Sequence, residues 1–324
     1  KRQGFFSATY PWVEGWYDLV RADSLFMLMV VGGLFGIRNW ATDPGQEGLA
    51  KVGSAAALLA LSFFAKQTGI LCVATGGFML LALNWKRVPL YVAVAGTIGL
   101  GGTWLLNRVS SGWFWIYIYK THQHHDFNMD RFYKSFGNML WRFPALTVVI
   151  FGTLILVLAT RIVKKELPSQ AKGFLLWFPV FLVALVVGAV GWGTQFAHFN
   201  AYIPAMIFGA LSAGLAPAAV ASCFTLWVPE PAQVMGGLIA AVLAVGLLMA
   251  WWHPTLFVPS SADRQAGHEL IRTLQEVEGE ILIPYHPWYA HLAGKKTKTH
   301  LMGLRDMTTG KVWPIKGLRE SINE

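Results

Sequence analysis

Ser62-Phe63-Phe64-Ala65-Lys66-Gln67-Thr68-Gly69-Ile70 sets one cation between two long apolar runs, Leu49 to Phe64 and Gly69 to Leu83. One bilayer crossing takes about 20 predominantly apolar residues, so the two runs read as a helical hairpin with Lys66 at its tip. That position keeps the ammonium out of hydrocarbon, where a charge at the centre costs about 3 kcal/mol or more. Gln67, Thr68 and Gly69 supply a polar turn at the same point. A lysine there either snorkels as an anchor or holds an anionic headgroup, such as a lipid phosphate. What decides between the two is whether other polar residues collect on the same side.

The rest of the chain repeats the pattern. Its 324 residues are 55% hydrophobic and only 13% charged, with 15 Trp and a mean hydropathy of +0.46. Soluble domains carry about a quarter charged residues, so the chain reads as a polytopic α-helical membrane protein. Further spans are expected from Leu25 to about Ile37, Pro89 to Leu106, Pro144 to Leu158, Phe174 to Val190, Ala201 to Phe224 and Val234 to Trp252, about eight in all. The net charge of +9 lies in short clusters between these runs. Such clusters set topology and do not suggest nucleic acid. Cys72 and Cys223 lie in or beside apolar segments and imply no disulfide framework. The chain starts at Lys1 and no signal peptide precedes the first span, so the expectation is a piece whose N-terminal part is missing.

The densest basic loop, Arg161 to Lys172, is expected to be cytoplasmic, and Lys86 with Arg87 agrees two spans earlier. The outer face then receives Asp18 to Asp23, Lys66, the loop 108–142, Gln195 to Asn200 and everything after Trp252. Chemically capable polar clusters thus fall on one face, which scattered anchors would not do. The expected domains are a transmembrane part, 1–252, and an extracytoplasmic α/β domain, 253–324. In the latter, Asp263 to Val277 reads as an amphipathic helix burying Leu270, Ile271 and Leu274. Ile281-Leu282-Ile283 reads as a short buried strand.

Within those clusters, a helix starting near Tyr17 places Asp18 and Arg21 at i, i+3, where they can pair. Alternatively Arg21 joins Lys66 around a phosphate, which a guanidinium fork suits. Asn200, beside His198, can cap the span containing Pro204, and helix N-termini accept anions. His122, His124, His125 and Asp126 offer metal-ligating side chains but match no zinc spacing. A solvated loop or contacts to a sugar donor is the favoured reading there, and a divalent metal ion the weaker alternative.

The stretches Tyr17 to Leu25, Phe64-Ala65-Lys66-Gln67-Thr68 and Asn200 through Pro204 resemble the bacterial C-type glycosyltransferases, relatives of the family 39 protein mannosyltransferases and the lipid A aminoarabinose transferases. Asp263 to Gly294 resembles the outer domain of some bacterial members more weakly. The resemblance implies an enzyme of the bacterial cytoplasmic membrane that moves a sugar from a polyprenyl-phosphate donor to a lipid, glycan or protein acceptor on the outer face. It implies donor-phosphate contacts from Lys66, Arg21, Asp23, Asp18, Gln67, His198 and Asn200. The family's catalytic aspartate lies in a first external loop that would precede Lys1, so no catalytic base is assigned. On this reading Lys66→Gln weakens donor binding while stability stays near normal. A transporter or flippase for the same lipids is the alternative, as is a surface-polysaccharide ligase or polymerase.

Overall fold

The computed structural model describes residues 7–17, 21–298 and 300–309, the side chains only as far as 305. Its long helices are α1 (Ala22–Trp40), α2 (Gly45–Ala65), α3 (Gly69–Asn84), α4 (Val88–Gly96), α5 (Gly102–Val109), α6 (Met129–Trp141), α7 (Pro144–Lys164), α8 (Ser169–Gly193), α9 (Ile203–Trp227), α10 (Ala232–Met249) and α11 (Ser261–Glu276). Two further helices, α12 (Trp288–Leu292) and α13 (Leu301–Thr309), follow. Among the described residues, seven helical runs are long and apolar enough to cross a membrane. The protein is a polytopic helical membrane protein.

The run Gly69–Val109 is 41 residues long, but it folds back on itself. The backbone leaves helical geometry at Asn84 (φ −160°, ψ 84°), and Pro89 then starts α4, where its missing N–H costs nothing. Tyr91 Oη consequently donates to the Val73 carbonyl at 2.5 Å, although 18 residues separate them. A straight helix would hold those residues about 27 Å apart. The run therefore supplies two antiparallel arms, joined at Trp85–Arg87.

The core is made by close helix packing. On α1, Phe26, Val30, Leu34 and Ile37 are buried, and on α2 Val52, Ala55, Ala56 and Leu59. Glycine lets the backbones approach: a Cβ at Gly33 would lie 2.5 Å from Leu59 Cγ. Small residues at such interfaces are how helices pack in lipid, where hydrophobicity drives nothing.

Arg87 locks the turn between α1 and α2. Its guanidinium donates to the carbonyls of Trp40 (2.8 Å), Gly48 (3.0 Å) and Asp43, while Asn84 Nδ2 donates to Ala41 O at 2.8 Å. Arg87 is buried, so it is a structural tie as well as a positive charge near a membrane face.

The chain divides into two compact units, 1–104 with 127–252, and 105–126 with 253–324. In the second, α11 forms much as expected, started by a capping box between Ser260 and Asp263. The expected α/β character of this part is not supported. Among the described residues no strand occurs there, and Ile281–Ile283 is irregular backbone. Leu270 is exposed, contrary to the expected burial, and Leu282 is exposed as well. Among the described residues the apolar triplet has no second strand to pair with, and α11 has no sheet to cover.

Candidate functional site

The site starts with the turn after α2. Lys66 ends the helix in extended geometry (φ −157°, ψ 131°), and its N–H donates to Ser62 O at 2.9 Å. Gly69 N returns to Lys66 O at 2.8 Å. A Cβ at Gly69 would come within 2.7 Å of the Ser62 and Phe63 backbone, so the tight turn requires glycine.

Lys66 Nζ lies 2.7 Å from Asp23 Oδ1. Asp23 sits in the first turn of α1 and is 6% exposed. The Asn200 amide, carried by the short helix Phe199–Tyr202, donates to both Asp23 oxygens at 3.1 and 3.0 Å. Asn200 is therefore not the helix cap expected of it, because its side chain is spent on Asp23. Arg21 Nε stands 3.9 Å from Asp23 Oδ2. Residues 43 and 177 positions away thus meet on one buried carboxylate.

Arg21 is the open member of the group. Its side chain is 53% exposed and its guanidinium lies over the Trp16 ring at 4.5 Å. It occupies an extended N-cap position, with α1 starting at Ala22. Asp18 itself lies outside the described residues. Gln67 enters through its backbone carbonyl, which accepts from Ile70 N at 3.2 Å. The Thr68 hydroxyl is buried and has no hydrogen-bond partner among the described residues.

An aromatic wall adjoins the cluster. Trp16 packs on His198 (4.8 Å between centroids), Trp12 stacks on Tyr202 (4.9 Å), and Trp192 stacks on Phe199 (4.9 Å). Glu14 (φ 52°) and Gly15 (φ 70°) both adopt left-handed backbone just before Trp16. Glu14 Oε2 then lies 3.6 Å from His198 Nδ1. Burial pushes the Tyr17 phenol above its ordinary pKa, against a smaller opposing pull from its bond to Thr9. Sequence reasoning missed Glu14 as a partner of His198. It also gave Lys66, not Asp23, the central place. An acid just inside an apolar span is itself a signal.

Arg21, Lys66 and Asp23 together carry one surplus positive charge, and Glu14 at the rim offsets it when His198 is neutral. A half-exposed guanidinium and a lysine with two further N–H donors suit an oxyanion such as phosphate.

The histidine run is arranged differently. His124 Nδ1 turns back to Lys120 O at 2.9 Å, and His122 and His125 pack edge to face at 5.1 Å. Among the described residues no group of three or more His, Cys, Asp and Glu is placed to hold a metal ion, so His122, His124, His125 and Asp126 form no such centre.

Comparison with protein-family models, curated proteins and solved structures finds no match.

Proposed function

We propose that the Asp23 cluster is the donor-phosphate site of a membrane glycosyltransferase that uses a polyprenyl-phosphate-linked sugar. The observation supporting this most is the convergence of Arg21, Lys66 and Asn200, from three separate segments, on a buried carboxylate. Anchoring lysines need no such convergence. Asp23 is a positioning residue here: its oxygens hold Lys66 and Asn200 in place. Arg21 and Lys66 meet the phosphate.

In the reaction, an acceptor hydroxyl oxygen attacks the anomeric carbon and the bond from that carbon to the phosphate oxygen breaks. The electron pair leaves on the phosphate, and the acceptor proton passes to a general base that is not assigned among these residues. Fixed cations at the leaving group stabilise charge that grows in the transition state, the largest single term in many enzymes.

The test uses protein in lipid nanodiscs given a polyprenyl-phosphate-linked sugar and acceptor-bearing membrane extract. Release of free polyprenyl phosphate, abolished by Arg21→Gln or Lys66→Gln, supports the transferase. In proteoliposomes, movement of the intact donor between leaflets with no cleavage would instead favour the transporter.

A further inference from the structure

At the end of the bundle away from Asp23, a second and separate cationic feature occurs. A groove of about 490 Å³ lies between the last turns of α1 and α3 and the first turns of α8. Arg38 and Lys172 line it together with Ser169, over a floor formed by Leu83, Leu175 and Leu176. The volume falls within the range of small-molecule sites, about 300–1,000 Å³.

Both cations are exposed. Among the described residues neither makes an ion pair or a side-chain hydrogen bond, and no acidic residue lines the groove. Two other cations on the same end are engaged by side chains or backbone. Lys51 binds Glu47 and Asp43, and Arg87 is consumed by backbone carbonyls. Arg38 and Lys172 come from helices far apart in sequence yet border one cavity and stay unpaired.

We infer that this groove is a binding site for one anionic phospholipid of the adjoining leaflet. Its phosphate sits between Arg38 and Lys172, and an acyl chain lies along Leu83, Leu175 and Leu176. The occupant follows from complementarity. Two unneutralised cations call for an anion, and the leucine floor at a membrane end calls for a hydrocarbon chain attached to it. Basic pockets between transmembrane helices recognise phospholipid headgroups in this way. Diffuse attraction to an anionic surface differs, because it needs only net charge and no shared cavity. The inference is independent of the glycosyltransferase reading.

Native mass spectrometry of the detergent-released protein tests it, with phosphatidylglycerol and phosphatidylcholine of identical chains as probes. Wild type should retain one phosphatidylglycerol at concentrations where phosphatidylcholine is lost. Arg38→Gln with Lys172→Gln should weaken that adduct at least tenfold. Leu175→Trp, which fills the floor and leaves both charges, should weaken it as well. Lys86→Gln with Arg161→Gln removes two cations of the same face outside the groove and should leave the adduct intact. Equal loss in that control pair would show diffuse charge attraction and overturn the site. So would equal retention of both lipids, or displacement of the adduct by inorganic phosphate at matching concentration. Thermal unfolding of each variant, unchanged from wild type, ensures that any loss is of binding and not of fold.

Discussion

Lys66→Met should destabilise the bundle because of what it leaves behind at Asp23. The Asp23 side chain is 8% exposed, and the substitution removes its 2.7 Å partner. Asn200 still donates to both oxygens, and Arg21 remains at 3.9 Å. Breaking a buried ion pair from one side costs about 3–5 kcal/mol. The remaining contacts, and the 24% exposure of Lys66 itself, set the expected loss near the lower figure, about 3 kcal/mol. Asp23→Asn strands the more exposed partner and should cost about 2 kcal/mol. The double variant removes both charges, so its loss should be about 2–3 kcal/mol, with a coupling of about 2–3 kcal/mol. For a body of this size about 1 kcal/mol shifts the midpoint by roughly 2–4 °C. Thermal unfolding in nanodiscs, followed by tryptophan fluorescence, should therefore drop by about 6–12 °C in Lys66→Met and no further in the double variant. Strictly additive losses would refute the ion pair as the centre of the site. The outcome also departs from the sequence expectation of near-normal stability at position 66, which took Lys66 to face a ligand alone.

Three further outcomes follow from particular contacts. Arg87→Met strands the carbonyls of Trp40, Gly48 and Asp43 and should lower stability by at least about 3 kcal/mol, with phosphate affinity of the folded fraction unchanged in a binding titration. Glu14→Gln removes a negative charge from the rim and should tighten polyprenyl phosphate binding a few-fold at low salt, an effect that added salt erases. The raised pKa of Tyr17 contributes stability that is complete below its unfolded value of about 10 and is lost as pH rises toward the folded value; alkaline melting should thus begin earlier in wild type than in Tyr17→Phe, as read by the unfolding midpoint between pH 9 and 11.

The membrane part was legible because apolar runs long enough to cross a bilayer have few other uses, and because Lys66 and Arg87 punctuate them. The lysine hairpin and the antiparallel return after Asn84 both follow from that punctuation. The gathering of polar groups was legible as a shared face. Its internal wiring was not, since Asp23, Lys66 and Asn200 meet through helix packing, which leaves no local mark in the sequence. Arg87 shows the same limit of pattern reading: a basic residue after a span looks like a topology signal whether it faces lipid headgroups or three buried carbonyls. The tail failed for another reason. Ile281–Ile283 has the composition of a buried strand, but a strand needs neighbours, and no second segment of the described tail supplies one.

The central claim is that Arg21, beside the Asp23–Lys66 pair, reaches an incoming lipid phosphate. Arg21 is half exposed and its removal leaves the 2.7 Å pair intact, so it separates binding from stability. The direct measurement is the affinity of nanodisc-embedded wild type and Arg21→Gln for polyprenyl phosphate, with the uncharged polyprenol as reference. The account predicts that wild type prefers the phosphate, and that Arg21→Gln loses about ten- to a hundredfold of that affinity at an unchanged unfolding midpoint. Equal binding of phosphate and alcohol, or wild-type phosphate affinity in Arg21→Gln, would contradict it.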